Sequence, residues 1–367
     1  MFAKLRLIGK KQKTIRNLAY FCIMILVTGG TGLVGSHLLY LLASSGSSVR
    51  ALYRESSDLN AVKDVFALYT NAVLPFWRKI QWVKADLNDI PALEKAFMGV
   101  RQVYHVAAMV RFSSRDKDLL HKVHVKGTAS IVNLSLEFGV AKLCYVSSVA
   151  TLSKEAGKDY MDEESFWNPD ADNNYYAISK YGAEMEVWRG TQEGLPAIIV
   201  NPGVILGPNM NGKSSSGIIT QYATGARYYT KGSTGFVDVR DVVRAMYQLM
   251  DSTFQNESYV LVGENCSYQD FTHLLDDKFK FDTIARPVAK PVVMSLAYIS
   301  SFFGYLFRYS PRLNPATAKA LFRKNEYSNH KVRMSIGFEF VSLEQTIDWI
   351  INSEIRALGQ VQEETED

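Results

Sequence analysis

Met24-Ile25-Leu26-Val27-Thr28-Gly29-Gly30-Thr31-Gly32-Leu33-Val34-Gly35 is an apolar strand that runs straight into a glycine-punctuated turn and then a helix. An apolar run of this kind is buried on both faces, as a central parallel strand is. The glycines let the backbone turn sharply beneath a pyrophosphate, and the helix that follows, Leu33 to Leu42, aims free N–H groups at that phosphate. Gly30, Gly32 and Gly35 fit G-x-G-x-x-G, while Gly29, Gly32 and Gly35 fit the looser T-G-x-x-G-x-x-G that Thr28 opens. A glycine-rich turn by itself often serves only as a turn. The strand before it and the helix after it make dinucleotide binding the stronger reading.

A chain of 367 residues with 47% apolar content can bury one large core or two modest ones. Its net charge of +4 comes from a leader, residues 1–23, which holds six Lys or Arg and no acid. Past that leader 35 basic residues face 37 acidic ones, so the body offers no electrostatic case for nucleic acid. The leader's apolar end continues directly into the first strand without a small-residue cleavage site. It therefore reads as an extension outside the fold, with Met24 as the natural start. Cys22, Cys144 and Cys266 are scattered and lack metal-ligand spacing, so no metal site is expected and the thiols read as reduced, in the cytoplasm.

Strands and helices alternate onward from the turn. A second strand, residues 48–54, ends on Arg54, which can pair with a 2′-phosphate and so favours NADP; Glu55 beside it keeps NAD as the alternative. Residues 58–79 read as helical, followed by strands at 80–85 and 102–108, a helix over 119–138, and strands at 143–146 and 194–200. The fourth strand ends on Ala107 and Ala108, whose small side chains leave room for a cofactor at the crevice. Five alternations predict an α/β fold with a doubly wound parallel sheet. Residues 24–200 are assigned to the nucleotide-binding domain and 201–355 to a smaller substrate lobe, with 237–250 returning to the first domain and 356–367 an acidic tail.

Tyr176 and Lys180 stand four apart, on one face of a helix. A tyrosine of ordinary pKa about 10 is a poor proton-transfer group at neutral pH, but an ammonium beside its oxygen favours the phenolate. Ser148, at the carboxyl end of the fifth strand, is placed to hydrogen-bond the substrate oxygen that Tyr176 protonates.

With these pieces in order, the chain resembles the extended short-chain dehydrogenase/reductases of the NAD-dependent epimerase/dehydratase superfamily, from residue 24 to about residue 350. The resemblance rests on Thr28–Gly35, Asp86-Leu87, His105-Val106-Ala107-Ala108, Val146-Ser147-Ser148, Tyr176 with Lys180, Asn201-Pro202-Gly203 with Gly207-Pro208, and Val237-Asp238-Val239-Arg240-Asp241-Val242. It implies a Rossmann domain and a catalytic triad of Ser148, Tyr176 and Lys180, Tyr176 being the general acid-base and Lys180 also holding the nicotinamide ribose. It implies cofactor contacts from Gly29, Thr31, Gly32, Leu33, Val34, Gly35, Arg54, Asp86, Leu87, Ala107, Ala108, Pro202 and Val204. The second-strand and Asn201–Pro208 segments are similar to those of dihydroflavonol reductase-like and 3β-hydroxysteroid dehydrogenase-like members. Asn201 stands where sugar-nucleotide epimerases carry arginine, and Val149-Ala150 stand where nucleotide-sugar dehydratases carry Asp-Glu. The reading is therefore an NAD(P)-dependent oxidoreductase interconverting a carbonyl and a secondary alcohol on a hydrophobic or semi-polar small molecule. A nucleotide-sugar epimerase or dehydratase with tightly bound NAD, and a non-catalytic NAD(P)-binding protein, are the alternatives. His124, where many relatives have Asn, reads as a helix residue near the site's floor with no catalytic role.

Pro291 to Phe307 is free of charge, with Val292, Leu296, Ile299, Phe303 and Leu306 on one side of a helix and Ser295, Tyr298, Ser301 and Tyr305 opposite. The sidedness favours a helix capping the substrate lobe over peripheral membrane contact through 291–307. The relatives' habit of pairing through helices adds a homodimer to the expected partners.

Overall fold

A computed structural model describes residues 23–208, 216–224, 227–281, 285–306 and 313–353. The basic leader up to residue 22, Cys22 with it, and the acidic tail lie outside the described residues.

The predicted strands form β1 (Met24–Thr28), β2 (Ser48–Tyr53), β3 (Ile80–Lys84), β4 (Val100–His105), β5 (Lys142–Val146) and β6 (Ala197–Pro202). Further along come β7 (Val204–Leu206), β8 (Tyr228–Tyr229), β9 (Ser233–Asp238), β10 (Glu257–Leu261), β11 (Glu264–Ser267) and β12 (Arg286–Pro287). The main sheet runs β10-β6-β5-β4-β1-β2-β3, and each neighbouring pair is parallel. The chain builds outward from β1 through β2 to β3, then crosses to lay β4 on β1's other side. That reversal opens a crevice at the carboxyl ends of β1 and β4, where the glycine turn meets Ala107-Ala108; β4 stops at His105, so these alanines lie just past the strand and not at its end. The fold is the doubly wound Rossmann sheet. Its seventh strand, β10, extends the six read from sequence and pairs with β6 from within the segment assigned to the lobe.

Helices cover both faces. On one, α1 (Leu33–Ser44) buries Leu38, Leu39 and Leu42 beside Val242, Met246 and Leu249 of a later helix, Val239–Asp251. On the other, Gly127–Glu137 and Tyr175–Gln192, here α2 and α3, bury Ile131, Val132, Ala183 and Val187; Val239–Asp251 is α4. Residues 58–79 are two helices, Asn60–Ala67 and Val73–Trp77, and not one. Between them the Thr70 hydroxyl accepts the Ala72 N–H, which competes with a helical hydrogen bond. The helix expected over 119–138 begins at Lys117 and passes through a π-helical turn, His121–Lys126, before α2. Such turns occur mostly as single insertions within α-helices, frequently at functional sites. In the lobe, β11-β9-β7 form a small sheet whose central strand leads into α4, capped by the Asp238 carboxylate on the Arg240 N–H.

One buried cation ties α4 to the sheet. Lys142, at the start of β5, donates to the carbonyls of Leu249 at 2.7 Å and Ser252 at 3.0 Å, at the negative end of α4's dipole. Lys142→Met should cost about 1–3 kcal/mol of folding stability, because those carbonyls lose a charged donor and stay buried. Urea unfolding of the two proteins checks this; a difference within error would remove Lys142 from the packing of α4.

Candidate active site

The glycine turn is shaped by steric necessity. Gly29 has φ of +70°, and a Cβ there would stand 2.6 Å from the Ala107 backbone; a Cβ on Gly35 would collide with the Gly29 carbonyl oxygen. The turn closes through the Gly32 N–H on the Gly29 carbonyl at 3.0 Å. Gly32 caps α1 without a side-chain hydrogen bond, which leaves the first-turn N–H groups open to an anion. This cradle, which side chains would fill, fits a pyrophosphate. Leu33 and Val34 point into the core, so only their backbone faces the cradle. Thr31 lies beside Ser57, whose hydroxyl also takes the Arg54 N–H at 2.9 Å.

At the carboxyl end of β2, Arg54 is exposed, and Glu55 pairs with Lys84. Burial would raise the Asp86 carboxyl, but hydrogen bonds from Asn88 and the charges of Arg54 and Lys122 leave it lowered. Leu87 packs where Gly127 has no side chain. The Ala107 N–H donates to Thr28 Oγ1, and Ala108 is exposed at the crevice. His105, fully buried, bridges Thr28 Oγ1 at 2.7 Å and Thr128 Oγ1 at 3.0 Å. Burial, then the charge of Lys180, pushes its pKa down to about 3, so it ties the ends of β1 and β4 together as a neutral ring. Pro202 is buried at the end of β6 and Val204 opens β7, on the far side of the crevice.

Ser148 follows β5 and stands beside Tyr176, the second residue of α3, close enough to lower its phenol pKa in part. Asn174 starts that helix, accepting the Ala177 N–H at 2.8 Å. Lys180 is only 1% exposed; its Nζ donates to the Val146 carbonyl at 2.7 Å and lies over the Tyr145 ring. The expected lowering of the Tyr176 pKa by Lys180 is not found. Burial raises the phenol, the Ser148 hydroxyl offsets part of that, and burial brings Lys180 itself down to about 7 despite the charge of Glu184. In this enclosed site both charged forms are disfavoured together.

Beside Lys180 and Ser147 is a carboxylate that sequence reading missed. Glu184 accepts from Ser147 Oγ at 2.5 Å, Thr151 Oγ1 at 3.1 Å, Asn201 Nδ2 at 3.1 Å and Trp188 Nε1 at 3.4 Å. Its signal was available: it stands four residues past Lys180, on the same helical face. His124 sits in the π-helical turn, edge-on to Tyr176 at 5.9 Å. Its Nε2 accepts the Met109 N–H, so Nδ1 carries the proton and donates to Ser179 Oγ, which donates to the Tyr176 carbonyl. Burial pushes its pKa down to about 3, and it braces the loop after β4 against α3.

Residues 25–262 match the NAD dependent epimerase/dehydratase family. The chain belongs to that family. It is similar to a putative dihydroflavonol 4-reductase of Synechocystis, 32% identical over 66% of this chain and 68% of that protein. It is also similar to cinnamoyl-CoA reductase 1 of Petunia hybrida, 25% identical over 74% and 84% respectively. Among solved structures, that of gox2253 superposes with a TM-score of 0.75 at 27% identity, covering 91% of this chain and 98% of that one. The protein is an NAD(P)-dependent oxidoreductase of the extended short-chain dehydrogenase/reductase type.

Glu184→Gln puts an N–H₂ among four donors and removes the charge that favours the Lys180 ammonium. We expect a stability loss of about 1–3 kcal/mol. Lys180 lies below its ordinary pKa, so folding releases its proton and its contribution to stability rises with pH between about 7 and 10.5. The variant should extend that window to lower pH. Urea unfolding and NADPH affinity across pH 5.5–9 would show both changes; unchanged profiles would leave Glu184 without influence on Lys180.

Proposed function

We propose that the chain is an NADP-preferring reductase that converts a carbonyl to a secondary alcohol on a hydrophobic or semi-polar small molecule. The observation that carries this reading is the Tyr176 phenol, set beside Ser148 at the carboxyl end of β5 and on the same helix as the buried Lys180. A phenol raised by burial is protonated at neutral pH and so is a ready donor to a carbonyl oxygen becoming an alkoxide. Ser148 holds that oxygen, and Lys180 steadies the cofactor ribose and favours the phenolate once the proton has gone. The bound dinucleotide supplies the hydride.

Glycine spacing and the fit of the cradle support Gly29 through Gly35 as the pyrophosphate site, with Asp86 and Leu87 toward the adenine and Ala107, Ala108, Pro202 and Val204 toward the nicotinamide. The NADP preference rests on Arg54, exposed at the end of β2 while its acidic neighbour Glu55 is paired with Lys84. Against a sugar nucleotide, Asn201 spends its amide on Glu184 and Thr151 and offers no cation for a diphosphate. In this reading residues 24–200 with the returning segments bind cofactor, and 201–355 wall the substrate pocket. Cys144 and Cys266 are free thiols, which supports a reducing compartment, the cytoplasm.

Tyr176→Phe should lower kcat by about 10²–10⁴-fold while NADPH affinity stays within about twofold. Carbonyl reduction followed by NADPH absorbance, with binding measured by fluorescence titration, tests both; retained turnover would overturn the assignment. Arg54→Gln should weaken NADPH by about 10–100-fold and leave NADH unchanged, in keeping with loss of a charge-assisted phosphate contact. Equal weakening of both cofactors would sink the preference.

A further inference from the structure

Lys290–Leu306, here α5, packs through a narrow stripe: Val293 and Ala297 meet Ala318, with Leu313 and Phe322 alongside. Val292, Leu296, Ile299 and Phe303, of the apolar side read from sequence, are exposed. Val292, Leu296, Tyr298, Ile299 and Phe302 are each more than half exposed, Phe302 at 62%. So much apolar surface on one helix marks an interaction site.

Charge indicates what covers it. Arg286 and Lys290 are exposed where α5 begins, and residues 286–333 carry nine Lys or Arg against Glu326 alone; of the nine, Lys319 and Arg323 pair with Asp172 and Lys331 with Glu257. Elsewhere past residue 23 the chain has 26 basic and 36 acidic residues. An apolar, aromatic-bearing helical face in the one basic stretch of an acidic body complements an anionic bilayer surface, with cations at the headgroups and rings at the acyl boundary. No described helix is long and apolar enough to cross a membrane, so α5 would lie in the surface plane.

The same helix borders the chemistry. Ser301 and Gly304 of α5 line a cavity of about 410 Å³ together with Phe112, Asn174 and Tyr175. The Phe112 ring meets the Tyr176 ring edge-on at 5.5 Å. We propose that α5 docks on an anionic membrane surface and opens this cavity toward the lipid, so that the substrate is a carbonyl compound dissolved in the bilayer. The substrate half rests on the reductase reading; the docking half does not.

The test is flotation of the full chain with vesicles of phosphatidylcholine alone or mixed with phosphatidylglycerol. The protein should float with the mixed vesicles, bind the neutral ones more weakly, and release in part at high salt. The double variant Ile299→Glu, Phe302→Glu alters only exposed positions, and unchanged NADPH binding confirms its fold. It should lose at least about tenfold in vesicle binding. It should also lose activity on a vesicle-dissolved ketone while keeping activity on a short water-soluble ketone. If wild type fails to float with either vesicle, the proposal is overturned. So it is if wild type fails to float and is a dimer that the double variant dissociates, which would give the face to a second copy. Should the variant not fold, the lipid and salt dependence of wild type decides alone. Flotation without reduction of any carbonyl would defeat the reductase reading and leave docking standing; reduction without flotation would do the reverse.

Discussion

A buried ammonium constrains this molecule more than any other group. Lys180 is almost wholly enclosed, and an isolated cation in that position would cost several kcal/mol or lose its proton. The fold meets that cost with the Val146 carbonyl at the end of β5, the Tyr145 ring beneath, and the Glu184 carboxylate one turn further along α3. Each of these fixes another part. The Val146 carbonyl registers α3 against β5, and Glu184 gathers Ser147, Thr151 and Asn201, so β5 and β6 end at one level. Ser148 then stands beside Tyr176, next to a Ser147 anchored on Glu184.

The same enclosure explains why both charged forms are disfavoured. Protonated Tyr176 and a weakened Lys180 are two results of one desolvation, since a medium that penalises an ammonium penalises a phenolate too. In the proposed reaction, proton transfer from the phenol would create the anion that the ammonium needs, so the pair would become favourable only as the reaction proceeds. Electrostatic help timed to developing charge lowers a barrier more than help spent on the resting state.

What could be read from sequence was local. The strand, turn and helix from Met24 to Leu42 carry their own signals in apolar run, glycine spacing and helical period, and the spacing of Tyr176 and Lys180 fixes a shared face. Three features lay beyond that reach. Glu257-Ser258-Tyr259-Val260-Leu261 becomes the seventh strand only because β6 presents a free edge far back in the chain. Lys142 is unremarkable until the end of α4 arrives above it. Helical period divided Pro291–Phe307 into two sides, but the side that packs was chosen by close approach of Ala318, which accepts Val293 and Ala297 and leaves the larger residues outside.

That choice has an energetic reading. Burying Leu296, Ile299 and Phe302 against the lobe would yield about 1.5–3 kcal/mol for each side chain, yet the fold forgoes it. A surface that gives up this much either keeps the helix close enough for Ser301 and Gly304 to wall the cavity, or reserves the apolar side for something outside the chain. Small residues on the inner side satisfy the first demand, because only they let the backbone approach Asn314 and Pro315 across the cavity's edge. The larger residues need not face outward for that purpose alone; polar side chains would serve as well on a face that only met water. Their retention together with Arg286 and Lys290, exposed where α5 begins, is the reason to look for an apolar, negatively charged partner at the mouth of the site.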